Sequence, residues 1–104
     1  MTTADTQRGV LLFGKSQHVI DETVAGLRDL GFKAAGTNDF FSDVASRFDI
    51  EGIDLVSFGL AVPPDRKAEL RAEIAAINPQ VIFIESPGIP GVIISQVQGA
   101  FNVP

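Results

Sequence analysis

The run Gly9-Val10-Leu11-Leu12-Phe13-Gly14-Lys15-Ser16 satisfies the phosphate-loop spelling G-x-x-x-x-G-K-[ST], in which loop N–H groups cradle phosphates and the lysine neutralises them. That chemistry needs the four intervening residues to be loop, with a strand ahead of the first glycine. Here the four are Val, Leu, Leu and Phe, an apolar block suited to a strand buried on both faces, and only the polar stretch Met1 to Arg8 precedes them. Amides committed to a sheet ladder cannot hold phosphate, so the ATPase reading is set aside. What survives of the motif is Gly14, Lys15 and Ser16 at the end of a strand and the start of a helix. There Ser16 is a natural cap and Lys15 a solvated cation, and the same place can receive an anion.

Other chemistries fail on their own requirements. Ser86, in Glu85-Ser86-Pro87-Gly88, follows a strand as an elbow serine would, but G-x-S-x-G wants a glycine two positions earlier and Ile84 stands there. His18, the sole histidine, falls in the first turn of a helix, where solvation is expected. Asp39, Asp54 and Glu85 are not fixed in pairs by their spacing and read as caps and strand-end charges. With no cysteine and one histidine, thiolate chemistry and structural zinc are excluded, and no catalytic residue, metal ligand or cofactor is predicted. A net charge of −5 with eight scattered basic residues argues against nucleic acid. No apolar stretch approaches the ~20 residues a bilayer span needs, and no signal-like segment opens the chain, so the expectation is a cytoplasmic protein.

The elements that must position these residues follow from periodicity. Ile20, Val24 and Leu27 lie at helical spacing and Gly31 supplies a stop. Phe32 to Gly36 reads as a second strand. A helix carrying Phe41, Val44 and Phe48 follows, capped from Thr37-Asn38-Asp39 and ended by Gly52. Ile53 to Leu60 reads as a third strand, and Pro63-Pro64-Asp65 opens a helix with Leu70, Ile74 and Ile77 inward and Arg66, Lys67, Glu69, Arg71 and Glu73 mostly in water. Asn78-Pro79 stops it, and Val81 to Ile84 makes a fourth strand. Alternating strands and helices imply right-handed crossovers and a parallel sheet. The expected fold is therefore α/β: a three-layer, doubly wound, Rossmann-like or flavodoxin-like domain with strand order 2-1-3-4, spanning residues 9–104 behind a frayed stub at 1–8.

The third-strand run Asp54-Leu55-Val56-Ser57-Phe58-Gly59-Leu60-Ala61-Val62-Pro63 resembles the D-L-V-φ-φ-D-x-x-M-P run of response-regulator receiver domains, and the likeness extends from Gly9 to about Ser86. Against that pattern Gly59 stands at the phosphoacceptor position, Gly14 and Lys15 replace the acidic metal-binding pair, Glu85 occupies the switch Ser/Thr position, and no lysine follows Lys67. Phosphoryl transfer to a carboxylate needs an oxygen nucleophile and magnesium held by acids. The resemblance thus implies a pseudo-receiver that is not phosphorylated on aspartate.

Two functional expectations follow. One is a non-catalytic regulatory or protein-interaction module, most simply a homodimer. Its basis is the receiver-like pattern without its phosphotransfer groups, to which the open edge of strand four and the 19-residue uncharged segment Ser86 to Pro104 add, with Ile93, Ile94, Val97 and Phe101 as the expected interface residues. The other is a site for a small anion or nucleotide in the crevice at the carboxyl ends of strands one and three, lined by Gly14, Lys15, Ser16 and Gly59.

Overall fold

A computed structural model describes residues 8–101. Gly9–Phe13 form β1, and all five residues are buried, as an unbroken apolar run requires. Successive side chains leave the strand on opposite sides, so Leu11 and Phe13 enter one core while Val10 and Leu12 enter the other. β2 (Lys33–Thr37) and β3 (Leu55–Gly59) flank β1 in parallel, and β4 (Ile82–Ser86) lies outside β3. The four-stranded, all-parallel order is β2-β1-β3-β4, as expected. The ladder occupies the residues that a phosphate loop would need free.

Two helical layers cover the sheet. α1 (Gln17–Asp29) starts at Ser16, whose Oγ accepts the Val19 N–H, and ends where Gly31 takes φ of 95°, a conformation only glycine adopts freely. α4 (Pro90–Phe101) lies beside α1, and Ile20, Val24, Leu27, Ile93 and Val97 share one core with Leu12 and Leu55. α3 (Pro64–Ile77), a single turn α2 (Val44–Arg47) and a 3-10 turn at Ile50–Gly52 cover the opposite face through Leu70, Ile74, Val44 and Ile50. The result is a flavodoxin-like three-layer fold. Among the described residues no helix is long and apolar enough to cross a membrane.

The structure corrects several sequence expectations. The second helix shrinks to one turn with Phe41 68% exposed, because Asp39 takes the N–H groups of Phe41 and Ser42 and the Ser42 hydroxyl, and Asp43 caps the helix instead. Short polar side chains here satisfy the backbone outside a helix. Arg66 and Lys67 are largely covered: Arg66 Nε donates to the Phe40 carbonyl at 2.6 Å, and Lys67 Nζ reaches Glu85 at 2.9 Å. Ile53 closes the 3-10 turn and does not open β3. Residues 1–7 of the expected stub lie outside the described residues. Arg8 does not fray: its carbonyl accepts the Lys33 N–H, and its guanidinium sits 4.8 Å from the Phe101 ring centre. Of the four residues assigned to an interface, Val97 and Ile93 are buried in the chain's own core, and Ile94 and Phe101 lie partly buried against it.

Candidate functional site

The connection leaving β1 crosses one face of the sheet to β2, and the connection leaving β3 crosses the other to β4. The chain therefore parts at the carboxyl ends of β1 and β3, where doubly wound sheets hold their ligands. A cavity of about 280 Å³ opens there. Gly14, Lys15, Ser16 and Gly59, the four residues expected at this edge, all line it.

The floor was not expected. Ser57, Ser86 and Thr23 also line the cavity and are 3%, 1% and 0% exposed. Sheet register sets Ser57 opposite Ile84 and Ser86 opposite Gly59, which puts the two serines on one face a diagonal step apart. Ser57 Oγ donates to Ser86 Oγ at 2.9 Å, and Ser86 Oγ donates to Gln96 Oε1 of α4 at 2.5 Å. Thr23 Oγ1 donates to the Val19 carbonyl at 2.7 Å. These bonds offset the cost of burying three hydroxyls. Leu12, Val19, Ile20 and Ile93 form apolar walls. The detectable sequence signal was a serine at position 57, where the apolar alternation of a buried strand calls for a hydrocarbon.

The two glycines named from sequence differ in role. A Cβ on Gly59 would meet the Phe13 carbonyl oxygen at 3.0 Å and Gly14 Cα at 3.2 Å, so this glycine serves the chain's own packing. Gly14 has nothing nearer than Ile20 at 3.7 Å, and Gly88 of the rim has nothing within 4 Å. The space at the mouth belongs to these two.

The remaining candidates stay apart. His18 is 82% exposed, and its Nε2 pairs with Glu22 on α1, so no base faces Ser86. Asp54 Oδ2 accepts the Gly9 N–H at the opposite end of the strands. Glu85 lies with Lys67 and Arg71 outside the cavity lining, and the Lys67 hydrogen bond and charge hold its carboxyl below the usual range. Asp39 is likewise lowered, chiefly by the Ser42 hydroxyl. Among the described residues no group of three or more acidic or histidine side chains is placed to hold a metal ion. A second hollow, of about 470 Å³ and more open to solvent, lies at the amino ends of β1 and β2, and none of Gly14, Lys15, Ser16 and Gly59 lines it.

Fold and crevice together define a doubly wound α/β domain with a hydroxyl-floored cavity at its switch point. No protein-family model matches the chain, and no curated protein or solved structure matches it at a meaningful level.

Proposed function

We propose that this chain is a non-catalytic, cytoplasmic regulatory module, receiver-like in architecture and not phosphorylated on aspartate, that binds a small anionic ligand in the crevice between β1 and β3. The observation that carries this reading is the cavity itself, bounded by Lys15 and the first turn of α1. Although Ser16 takes the Val19 N–H, the start of α1 still carries the positive end of the helix dipole, which favours an anion beside the lysine. The absence of catalysis is supported by Ser86, whose hydroxyl is committed to Gln96 while His18 is turned outward to Glu22. A thermal-shift panel of inorganic phosphate, nucleotides and small carboxylates tests the reading. A ligand at 100 times its dissociation constant adds about 2.7 kcal/mol of stability, and Lys15→Ala removes most of that gain. A panel with no response ends this assignment.

Self-association is a second reading, favoured by the β4 edge. Among the described residues no strand lies beyond β4, and Ile82 on it and Val92 and Ile89 near its carboxyl end are exposed. Unpaired edges recruit strands of other chains. A twofold pairing of β4 with its copy joins two sheets into one, and light scattering that reads a monomer at ~100 μM rejects it.

A further inference from the structure

The crevice is selective in three ways that together define a ligand class. The first is size. At about 280 Å³ it falls just under the ~300–1,000 Å³ of sites that enclose drug-sized molecules, and at ~30 Å³ per water it equals roughly nine waters. That is room for one ring with its substituents.

The second is depth. Ser57 is level with Leu12 in the β1–β3 ladder, and Gly14 lies two residues beyond Leu12. At a strand rise of ~3.3 Å per residue, floor and mouth are about 7 Å apart along the strands. A six-membered ring substituted at opposite ends spans that interval.

The third is the polarity of the two ends. At the mouth, Lys15 is exposed and makes no ion pair among the described residues. At the floor, the Ser57 hydroxyl donates to Ser86 and the Ser86 hydroxyl to Gln96, while Thr23 bonds the Val19 carbonyl and presents no surface. With its proton directed at Ser86, the Ser57 oxygen offers a ligand its lone pairs and no donor.

Resting on the crevice reading above, we propose that the ligand is a one-ring organic acid with a hydrogen-bond donor opposite its carboxylate, the carboxylate at Lys15 and the donor on the Ser57 oxygen. The apolar walls from Leu12, Ile20 and Ile93 enclose the ring. Ser57 is then the residue that sets selectivity, being small enough to leave the space and polar enough to read the donor.

Titration calorimetry with para-hydroxybenzoate, para-methoxybenzoate, para-hydroxybenzyl alcohol and inorganic phosphate tests this. The hydroxy acid binds about tenfold more tightly than its methyl ether, which lacks the donor, and than the alcohol, which lacks the charge. Ser57→Ala removes the preference over the ether, Lys15→Ala removes the preference over the alcohol, and Ser57→Val fills the space and excludes every ring. Melting curves confirm that each variant folds. If the ether binds as tightly as the phenol, or Ser57→Ala keeps the preference, the acceptor floor is wrong while the anion crevice stands. If phosphate or a nucleotide binds and no ring acid does, the ligand class is overturned and the crevice reading survives. If nothing binds, both fall.

Discussion

Gly59 and Phe13 approach so closely across the β1–β3 edge that a Cβ on the glycine would lie 3.0 Å from the phenylalanine's carbonyl oxygen. A side chain at position 59 forces backbone to move, because the nearest atoms are main chain and not a flexible side-chain tip. Gly59→Asp, which places a carboxylate at this strand end, is therefore expected to cost about 1–3 kcal/mol in urea denaturation. It gains no phosphorylation in return, since Gly14 and Lys15 supply no acid for magnesium. Mass spectrometry after incubation with acetyl phosphate and magnesium shows no adduct on either the parent chain or the variant.

Val97 sits under α4 with no exposed surface, in the core shared with α1. Val97→Ala is expected to lower stability by about 2 kcal/mol, the usual scale for removing buried methyl groups and leaving a gap. The loss is the same at low and high protein concentration. A loss that grows on dilution places Val97 at a subunit interface and contradicts the packing described above.

Sheet order and the first and third helices could be read from the sequence because each rests on several agreeing signals. For α1 these are the Ile20, Val24 and Leu27 spacing, the Ser16 cap and the Gly31 stop. The second helix was misread because Phe41, Val44 and Phe48 mimic a helical stripe, while Asp39 and Asp43 compete for the backbone they would need. The rim of the crevice was legible, since Gly14, Lys15 and Ser16 are contiguous at a strand-to-helix turn. Its floor was not, because Ser57, Ser86 and Thr23 meet only through the β3–β4 register and the packing of α1, which no local spacing encodes.

Arg66 ties the irregular segment after β2 to α3. With 12% of its side chain exposed, it donates from Nε to the Phe40 carbonyl and pairs with Glu69 and Glu73. Replacing it leaves a partly buried carbonyl without its charged donor, so Arg66→Ala is expected to cost about 2 kcal/mol. Hydrogen exchange locates the effect: amides near Phe40 lose protection, while those of β1 and α1 keep theirs until global unfolding.

Glu85 and Asp39 make stability fall on the acid side, by different physics. Both carboxyls sit below their ordinary values of 4.5 and 3.8 in the folded chain: Glu85 chiefly through the hydrogen bond and charge of Lys67, and Asp39 chiefly through the Ser42 hydroxyl and the amides of Ser42 and Phe41. A group that holds its proton more weakly when folded contributes stability in full above its unfolded value and loses it as pH falls through its folded one. The loss begins near 4.5 for Glu85 and near 3.8 for Asp39. Denaturation midpoints followed down from neutral pH are expected to decline less steeply in Glu85→Gln and Asp39→Asn than in the parent chain. Salt separates the two: it shrinks the Glu85 contribution, which depends on the Lys67 and Arg71 charges, and leaves most of the Asp39 contribution, which depends on neutral donors. Equal salt sensitivity for the two variants would contradict this division.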